Sequence, residues 1–234
     1  MIDLGVADRR GSMKLLNDDI CKVNTYLVFD LETSGFRAVE GDVVTQLGWA
    51  IVQNNKCTEI GSYYIKRPAG TMLKNGEASE ASTITGITDE ILQEKGEDPR
   101  KLLDFAKYIN DWTAAGGQLI GHNIFGFDIP FLQDEMRIEF DFKLDVPISS
   151  VIDTGMMVKA SQLKDYQATD ETRQSFYRRV RNMRSRVKWN LSDSLTDLCG
   201  KDALEKIAGD AHDAGTDCEM VVVLFKKLQE LVDV

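Results

Sequence analysis

Two acids stand one residue apart, Asp30 and Glu32, at the end of the apolar run Tyr26-Leu27-Val28-Phe29. In an extended strand, residues two apart point the same way, so both carboxylates converge on one side while Phe29 and Leu31 pack on the other. Such a buried pair costs several kcal/mol unless a metal ion or another cation compensates it. Acid-x-acid triplets also occur at Glu40-x-Asp42, Glu139-x-Asp141 and Asp217-x-Glu219, and it is the place after an apolar strand that sets the first pair apart. A second cluster reads Gly121-His122-Asn123-Ile124-Phe125-Gly126-Phe127-Asp128. Its Asp128 falls at the first turn of a helix, where Pro130 is still tolerated and where a carboxylate is also a common cap. A third cluster, His212-Asp213-Ala214-Gly215-Thr216-Asp217, opens the last long helical pattern. Five residues along a continuous helix rotate by about 500°, which leaves His212 and Asp217 roughly 140° apart. They share a site only when His212 lies in the loop or a frayed first turn. Taken alone, a histidine there is more often structural than a proton acceptor.

The elements that must position these residues follow from the hydrophobic pattern. Residues 25–31 form a strand apolar on both faces, as in a sheet covered on both sides. Val43 to Val52 and Cys57 to Arg67 form two more strands, joined through Gln53-Asn54-Asn55-Lys56, whose asparagines tolerate the positive φ of a hairpin. The sheet therefore starts antiparallel. A Gly-, Ser- and Thr-rich stretch over 68–83 precedes Ile84-Thr85-Gly86-Ile87-Thr88 and a short helix from Asp89. Leu102, Phe105, Ala106, Ile109 and Trp112 keep helical spacing between Pro99 and Gly116-Gly117. A strand over Gln118 to His122, a helix over Phe127 to Ile138 and a strand over Ile148 to Asp153 then alternate. Helices follow at Ser192 to Cys199 and from about Ala211 to Val232. The pattern is α/β, a mixed sheet with an antiparallel start and then parallel strands, flanked by helices. Asp153 follows a strand as Asp30 does, but with no second carboxylate beside it, and reads as structural.

Composition narrows the partners. The 234 residues carry 28 Lys and Arg against 38 Asp and Glu, a net charge of −10, which opposes broad coating of DNA or of an anionic membrane. The longest apolar run, Met220 to Phe225, is far short of the roughly 18 residues of a membrane span. Cys21, Cys57, Cys199 and Cys218 lie far apart with no C-x-x-C pair, which speaks against a disulfide framework or a cysteine zinc site and fits a reducing, cytoplasmic compartment. The length suits one domain, residues 25–234, preceded by a tail over 1–24. Because Gly11-Ser12 precedes Met13, residues 1–12 read as an appended leader, and none of them resembles a signal peptide.

Together, Phe29-Asp30-Leu31-Glu32-Thr33, His122-Asn123-x-x-x-Phe127-Asp128 and His212-x-x-x-x-Asp217 resemble, in order, the three motifs of the DEDDh 3′→5′ exonucleases. That family includes RNase T and the proofreading ε subunit of bacterial DNA polymerase III, on a ribonuclease H-like fold. The resemblance runs over roughly residues 25–232, and Ile84-Thr85-Gly86-Ile87-Thr88 looks like the segment many relatives carry between the first two motifs. It implies that Asp30, Glu32, Asp128 and Asp217 bind two Mg²⁺ or Mn²⁺ ions and that His212 is the general base. Hard oxygen ligands suit those ions, and two-metal sites clamp the attacking and leaving oxygens of a phosphoryl displacement. The product implied is a nucleoside 5′-monophosphate. The resemblance further implies that the backbone of Glu32 and Thr33 and the side chain of Asn123 hold the terminal nucleotide. Phe36 and Phe125 are candidates to stack on bases, although aromatics in such loops more often belong to the core.

The chain departs from compact relatives at 161–188, a basic insertion in which Arg173, Arg178, Arg179, Arg181, Arg184, Arg186 and Lys188 stand without an acid, interleaved with Phe176, Tyr177 and followed by Trp189. Charge runs are usually solvated faces. Arginine with aromatics between two motifs is also the composition of a phosphate-tracking surface, which nominates Arg178, Arg179 and Arg181 as contacts to a single strand. The expected function is a 3′→5′ exonuclease on single-stranded 3′ ends, with DNA favoured over RNA. A DNA polymerase is a candidate partner, a homodimer is open, and no membrane is involved. Two other classes compete. Asp30-Leu31-Glu32-Thr33 approaches the D-x-D-x-T loop of haloacid dehalogenase-like phosphatases, which leaves the other two clusters unexplained, and the same fold could serve as an inactive nucleic-acid-binding scaffold.

Overall fold

The computed structural model describes residues 20, 22–165, 167, 168, 170–207 and 212–232. The proposed leader and most of the tail, residues 1–19 and 21, lie outside the described residues, as does Ala211. A five-stranded mixed sheet forms the centre, in the order β3-β2-β1-β6-β7. Its strands are β1 (Tyr26–Thr33), β2 (Val44–Gln53), β3 (Lys56–Tyr64), β6 (Gln118–Gly121) and β7 (Val151–Asp153). β1 pairs antiparallel with β2, β2 antiparallel with β3, and β1–β6 and β6–β7 are parallel. The β2–β3 turn is made by Asn54 and Asn55 at φ 51° and 63°, the left-handed pair that a tight hairpin requires.

Alternation along β1 sorts the core into two layers. Leu27, Phe29 and Leu31 enter one cluster with Leu102, Ile109 and Leu132, whereas Tyr26 and Val28 enter the other with Ile152, Tyr177 and Phe225. Asp30 and Glu32 continue the second face. On the first face lie α3 (Arg100–Ala114) and α4 (Asp128–Phe140); on the second lies the long closing helix α9 (Ala214–Val232), packed on β1 and β2. The rings of Tyr26 and Phe225 meet edge to face at 5.1 Å, joining strand to helix. A two-stranded ribbon, β4 (Leu73–Lys74) with β5 (Glu77–Ala78), precedes α1 (Glu80–Thr85) and α2 (Asp89–Lys95), each capped by a hydroxyl, that of Ser79 or Thr88. Arg67, at the end of the first meander, is buried against Glu135, reaches the more exposed Glu139 of the same helix α4 and donates to the Val44 carbonyl, tying β2 to that helix.

Three of the departures from the sequence expectation have a plain physical cause. Residues Ile148–Ser150 form a 3₁₀ turn closed by Ser150 N–H on the Pro147 carbonyl, so only Val151–Asp153 is strand; two serines after a proline favour the turn over the ladder. Thr154–Leu163 is a helix, α5, whose residues 154–161 are all buried, so no polar face marks its period. The basic stretch contains a second unforeseen helix, α6 (Arg173–Asn182), which buries Phe176, Tyr177 and Val180 and so forms part of the core. It is followed by α7 (Leu191–Cys199) and the short α8 (Lys201–Lys206). Among the described residues, no helix is long and apolar enough to cross a membrane.

Candidate active site

The carboxyl end of β1 is where the three clusters meet, at the edge open α/β sheets commonly use for ligands. A ladder irregularity between Glu32 and Thr33 shifts the register with β2 there, from Glu32 opposite Gln46 to Thr33 opposite Val44. From the neighbouring loop, Asp128 begins α4 buried at 3% exposure, and its Oδ1 accepts the Leu31 N–H at 3.0 Å. From the second core layer, α9 brings Asp217. His212 stands just before that helix at φ 68°, outside its 3.6-residue repeat, which removes the angular separation a continuous helix would impose. Ligand atoms of Glu32, His212 and Asp217 lie within 4.8 Å of one another.

The electrostatics of this cluster are those of crowded acids that no Lys or Arg among the described residues pairs with. Burial, with the like charges of Asp128, Asp217, Glu32 and Asp213 added, pushes the Asp30 carboxyl well above the usual range. Burial pushes Glu32 up to about 8, helped by Asp217, Asp128 and Asp213. Asp128 is raised to about 7 by burial although two backbone amides favour its charged form, and Asp217 to about 6 by burial against the favourable pull of His212. Among the described residues none of the four pairs with Lys or Arg, and Asp217 Oδ1 is buried with no hydrogen-bond partner. Four oxygen-donor side chains, one with an unmatched oxygen, fit a hard divalent cation.

The remaining candidates spread along the rim. Thr33 and Phe36 line a groove of about 610 Å³ with Glu32, Lys74, Ile84 and Phe127; Phe36 is 76% exposed there. Asn123 adopts φ 64°, and its Oδ1 is buried without a partner. Gly126 keeps that corner open, because a Cβ would meet Asn123 Oδ1 at 2.4 Å and Arg181 Nε at 3.0 Å. Phe125 is half-buried against Tyr177, at 5.4 Å between ring centres. Arg179 is held by Glu171 and Asp165, whereas Arg178 and Arg181 are exposed and make no ion pair among the described residues.

Two residues hold the second cluster in shape, Asp153 from outside it and His122 from within. Asp153, fully buried, caps α5 through Met156 N–H and accepts the amides of Asn123 and Phe125 at 3.0 and 3.1 Å, the structural role its isolation implies. His122, lowered to about 4 by burial, is neutral; its Nε2–H donates to the Trp189 carbonyl at 2.5 Å and its Nδ1 accepts from Thr154. Gln46 and Asp213, which sequence reasoning passed over, bind each other at 2.6 Å beside the cluster. Gln46 sits opposite Glu32 in the β1–β2 register, the one signal that marks it.

A mixed five-stranded sheet carrying carboxylates at the end of its central strand defines the ribonuclease H-like class. Residues 27–225 match the RNase T model, described as exonuclease, and the chain belongs to that family, of the DEDDh type. The family uses divalent metals. Over 144 residues the chain is 32% identical to DNA polymerase III subunit epsilon of Haemophilus influenzae, covering 58% of this chain and 50% of that protein. It is 26% identical over 123 residues to the PolC-type DNA polymerase III of Mycoplasma genitalium, covering 52% of this chain and 8% of that one. The chain thus spans half or less of these curated relatives. Among solved structures, the zinc-bound form of the E. coli ExoI complex with single-stranded DNA has TM-score 0.60 at 21% identity, over 90% of this chain and 42% of that one. A 3′-exonuclease recognising the 3′ end of a histone mRNA stem-loop has TM-score 0.55 at 13% identity, over 88% and 64%. At these identities the likeness is one of fold. Family membership replaces the phosphatase reading of Asp30-Leu31-Glu32-Thr33.

Proposed function

We propose that this chain is a metal-dependent 3′→5′ exonuclease that removes nucleoside 5′-monophosphates from single-stranded 3′ ends, with DNA as the preferred substrate. The observation that carries the reading is the convergence of Glu32, His212 and Asp217 within 4.8 Å beside Asp30 and Asp128. Asp30, Glu32, Asp128 and Asp217 would hold two Mg²⁺ or Mn²⁺ ions, and the crowding that raises their proton affinity is the same crowding that favours a divalent cation. When bound, the ions supply Lewis-acid activation of the attacking water and screen charge on the scissile phosphate. His212, exposed at the mouth, takes up the proton of the attacking water. Asn123 and the backbone of Glu32 and Thr33 hold the terminal nucleotide, and the groove under Phe36 receives its base.

The strand leading to the site runs over the basic segment. Lys159 Nζ donates to the Arg181 carbonyl, Gln162 to that of Lys188 and His122 to that of Trp189, so the backbone from 181 to 189 is pinned to α5 and the second motif. Arg178, Arg181, Arg184 and Arg186 are exposed along it, free to follow phosphates, while Arg179 stays engaged with acids of its own segment. Residues 25–234 act as one exonuclease domain, in a reducing cytoplasmic compartment, with a DNA polymerase as a candidate partner and a homodimer open.

The test is degradation of matched 3′-labelled single-stranded DNA and RNA with Mg²⁺, against Asp30→Ala. Stepwise mononucleotide release from DNA by the parent alone supports the reading. Faster release from RNA shifts it to an exoribonuclease. Binding without release by either protein establishes an inactive scaffold.

A further inference from the structure

The turn that presents His212 is clamped from the strand opposite Glu32. Gln46, 1% exposed in the middle of β2, donates from Nε2 to Asp213 Oδ2 at 2.6 Å and accepts the Ala214 N–H on Oε1 at 3.2 Å. Its second amide hydrogen reaches Ser62 Oγ of β3 at 3.4 Å. The other oxygen of Asp213 accepts the Thr216 amide at 3.0 Å and its hydroxyl at 3.2 Å, so Asp213 is also the cap of α9. Two residues along the same face of β2, Gly48 comes so close to the Ala214 carbonyl that a Cβ there would meet it at 2.2 Å. The helix start therefore rests directly on the sheet. His212 itself has φ 68°, a left-handed conformation that strains a non-glycine residue and persists only where its surroundings impose it. Among the described residues, the contacts next to it in sequence begin with Asp213 on its C-terminal side.

We infer that Gln46 is a positioning residue for the exonuclease reaction: by holding Asp213 and Ala214 it fixes the His212 backbone and aims the imidazole at the carboxylate cluster. The inference rests on the reading of His212 as proton acceptor. Gln46 makes no hydrogen bond to any of the four cluster carboxylates among the described residues. Directly opposite Glu32, it sets the spacing between the first and third motifs from a strand that carries neither.

The chain contains two histidines, so the imidazole resonances of the full-length, metal-free protein report His212 with His122 as an internal reference. In Gln46→Met, similar in size but without the amide, the His212 resonance shifts and broadens while that of His122 stays. With Mg²⁺ the same variant loses kcat by about 100-fold at unchanged KM, the scale on which a misplaced group is felt. Gln46→Glu sets a carboxylate against Asp213 and does the same. Adding Asp213→Asn to Gln46→Glu exchanges donor and acceptor: the new amide donates to the new carboxylate across the same contact, which restores both the resonance and kcat. Val52→Ala, a core truncation in the same strand, controls for lost stability and moves neither readout. An unmoved His212 resonance in Gln46→Met, or an exchange variant no better than Gln46→Glu alone, overturns the inference. Full activity in His212→Ala instead overturns the reading on which it rests.

Discussion

The amide of Leu31 donates to Asp128 Oδ1 at 3.0 Å, so the strand between Asp30 and Glu32 is fastened to the first turn of the helix that carries the second motif. Asp128 is therefore both a member of the acidic cluster and a buried acceptor. Asp128→Asn keeps an acceptor for Leu31 and loses the charge; Asp128→Ala leaves that amide unsatisfied, at a cost of about 1 to 3 kcal/mol. Urea unfolding should rank the asparagine variant above the alanine variant in stability, with exonuclease activity lost in both.

Removing one charge from an overcrowded site relieves repulsion. Asp30→Asn is expected to abolish nucleotide release and, in metal-free buffer at pH 8, to raise the melting temperature, by about 2 to 4 °C for each kcal/mol of relief. Calorimetry with and without chelator reads this directly. A lower melting temperature than the parent would mean that Asp30 is compensated within the protein.

Stability of the metal-free protein should fall as pH rises. The unfolded chain releases its carboxyl protons around pH 4 to 4.5, whereas the folded protein keeps them to about 6 at Asp217, about 7 at Asp128 and about 8 at Glu32. Between those limits the folded state binds more protons, so each group contributes about 1.4 kcal/mol of lost stability per pH unit until its own folded value is passed, near 6 for Asp217, 7 for Asp128 and 8 for Glu32. Mg²⁺ should restore stability at pH 8 and add little at pH 5. Melting curves across that range, with and without Mg²⁺, check both halves.

Substituting Arg181, Arg184 and Arg186 together by Ala is expected to weaken single-strand binding and to flatten its salt dependence by about 2 in the slope of log affinity against log salt, at roughly 0.7 per phosphate contact. The melting temperature should stay, because these side chains are exposed. An unchanged slope would take the strand off this path.

Arg67 stands apart from the site, buried at 5% exposure against Glu135 at 3%. Arg67→Met strands the Glu135 carboxylate and should cost about 3 to 5 kcal/mol of unfolding free energy, while Arg67→Met with Glu135→Leu recovers much of it. Denaturant midpoints of the single and double variants decide.

How legible the molecule is in its sequence depends on which signal each segment carries. The meander β1–β2–β3 announces itself through β-branched runs and an Asn-Asn turn, and the three clusters through ordered spacing. Helix α5 is hidden because Thr154 to Ser161 are buried all round, which erases the amphipathic period. In α6 the arginines draw the eye from Phe176, Tyr177 and Val180, whose burial makes the helix part of the core. The pairing of His212 with Asp217 is conditional on backbone geometry, and the left-handed φ of His212 meets the condition. Gln46 is invisible for a different reason: a neutral residue inside a strand gains meaning only from its register partner and from a turn 167 residues away.

Asp217 and Cys218 are adjacent on α9, the first turned to the acidic cluster and the second fully buried in the core layer beneath it. Burial and the nearby acids push the Cys218 thiol well above its ordinary range, so it is shielded both sterically and chemically, while Cys57 is open to solvent. Thiol labelling of a variant that keeps only Cys57 and Cys218 thus has a built-in clock: Cys57 reacts at once, and Cys218 only when the layer under Asp217 opens. The acidic cluster and the core layer beneath it share a peptide bond, and the reactivity of the Cys218 sulfur times the opening of both.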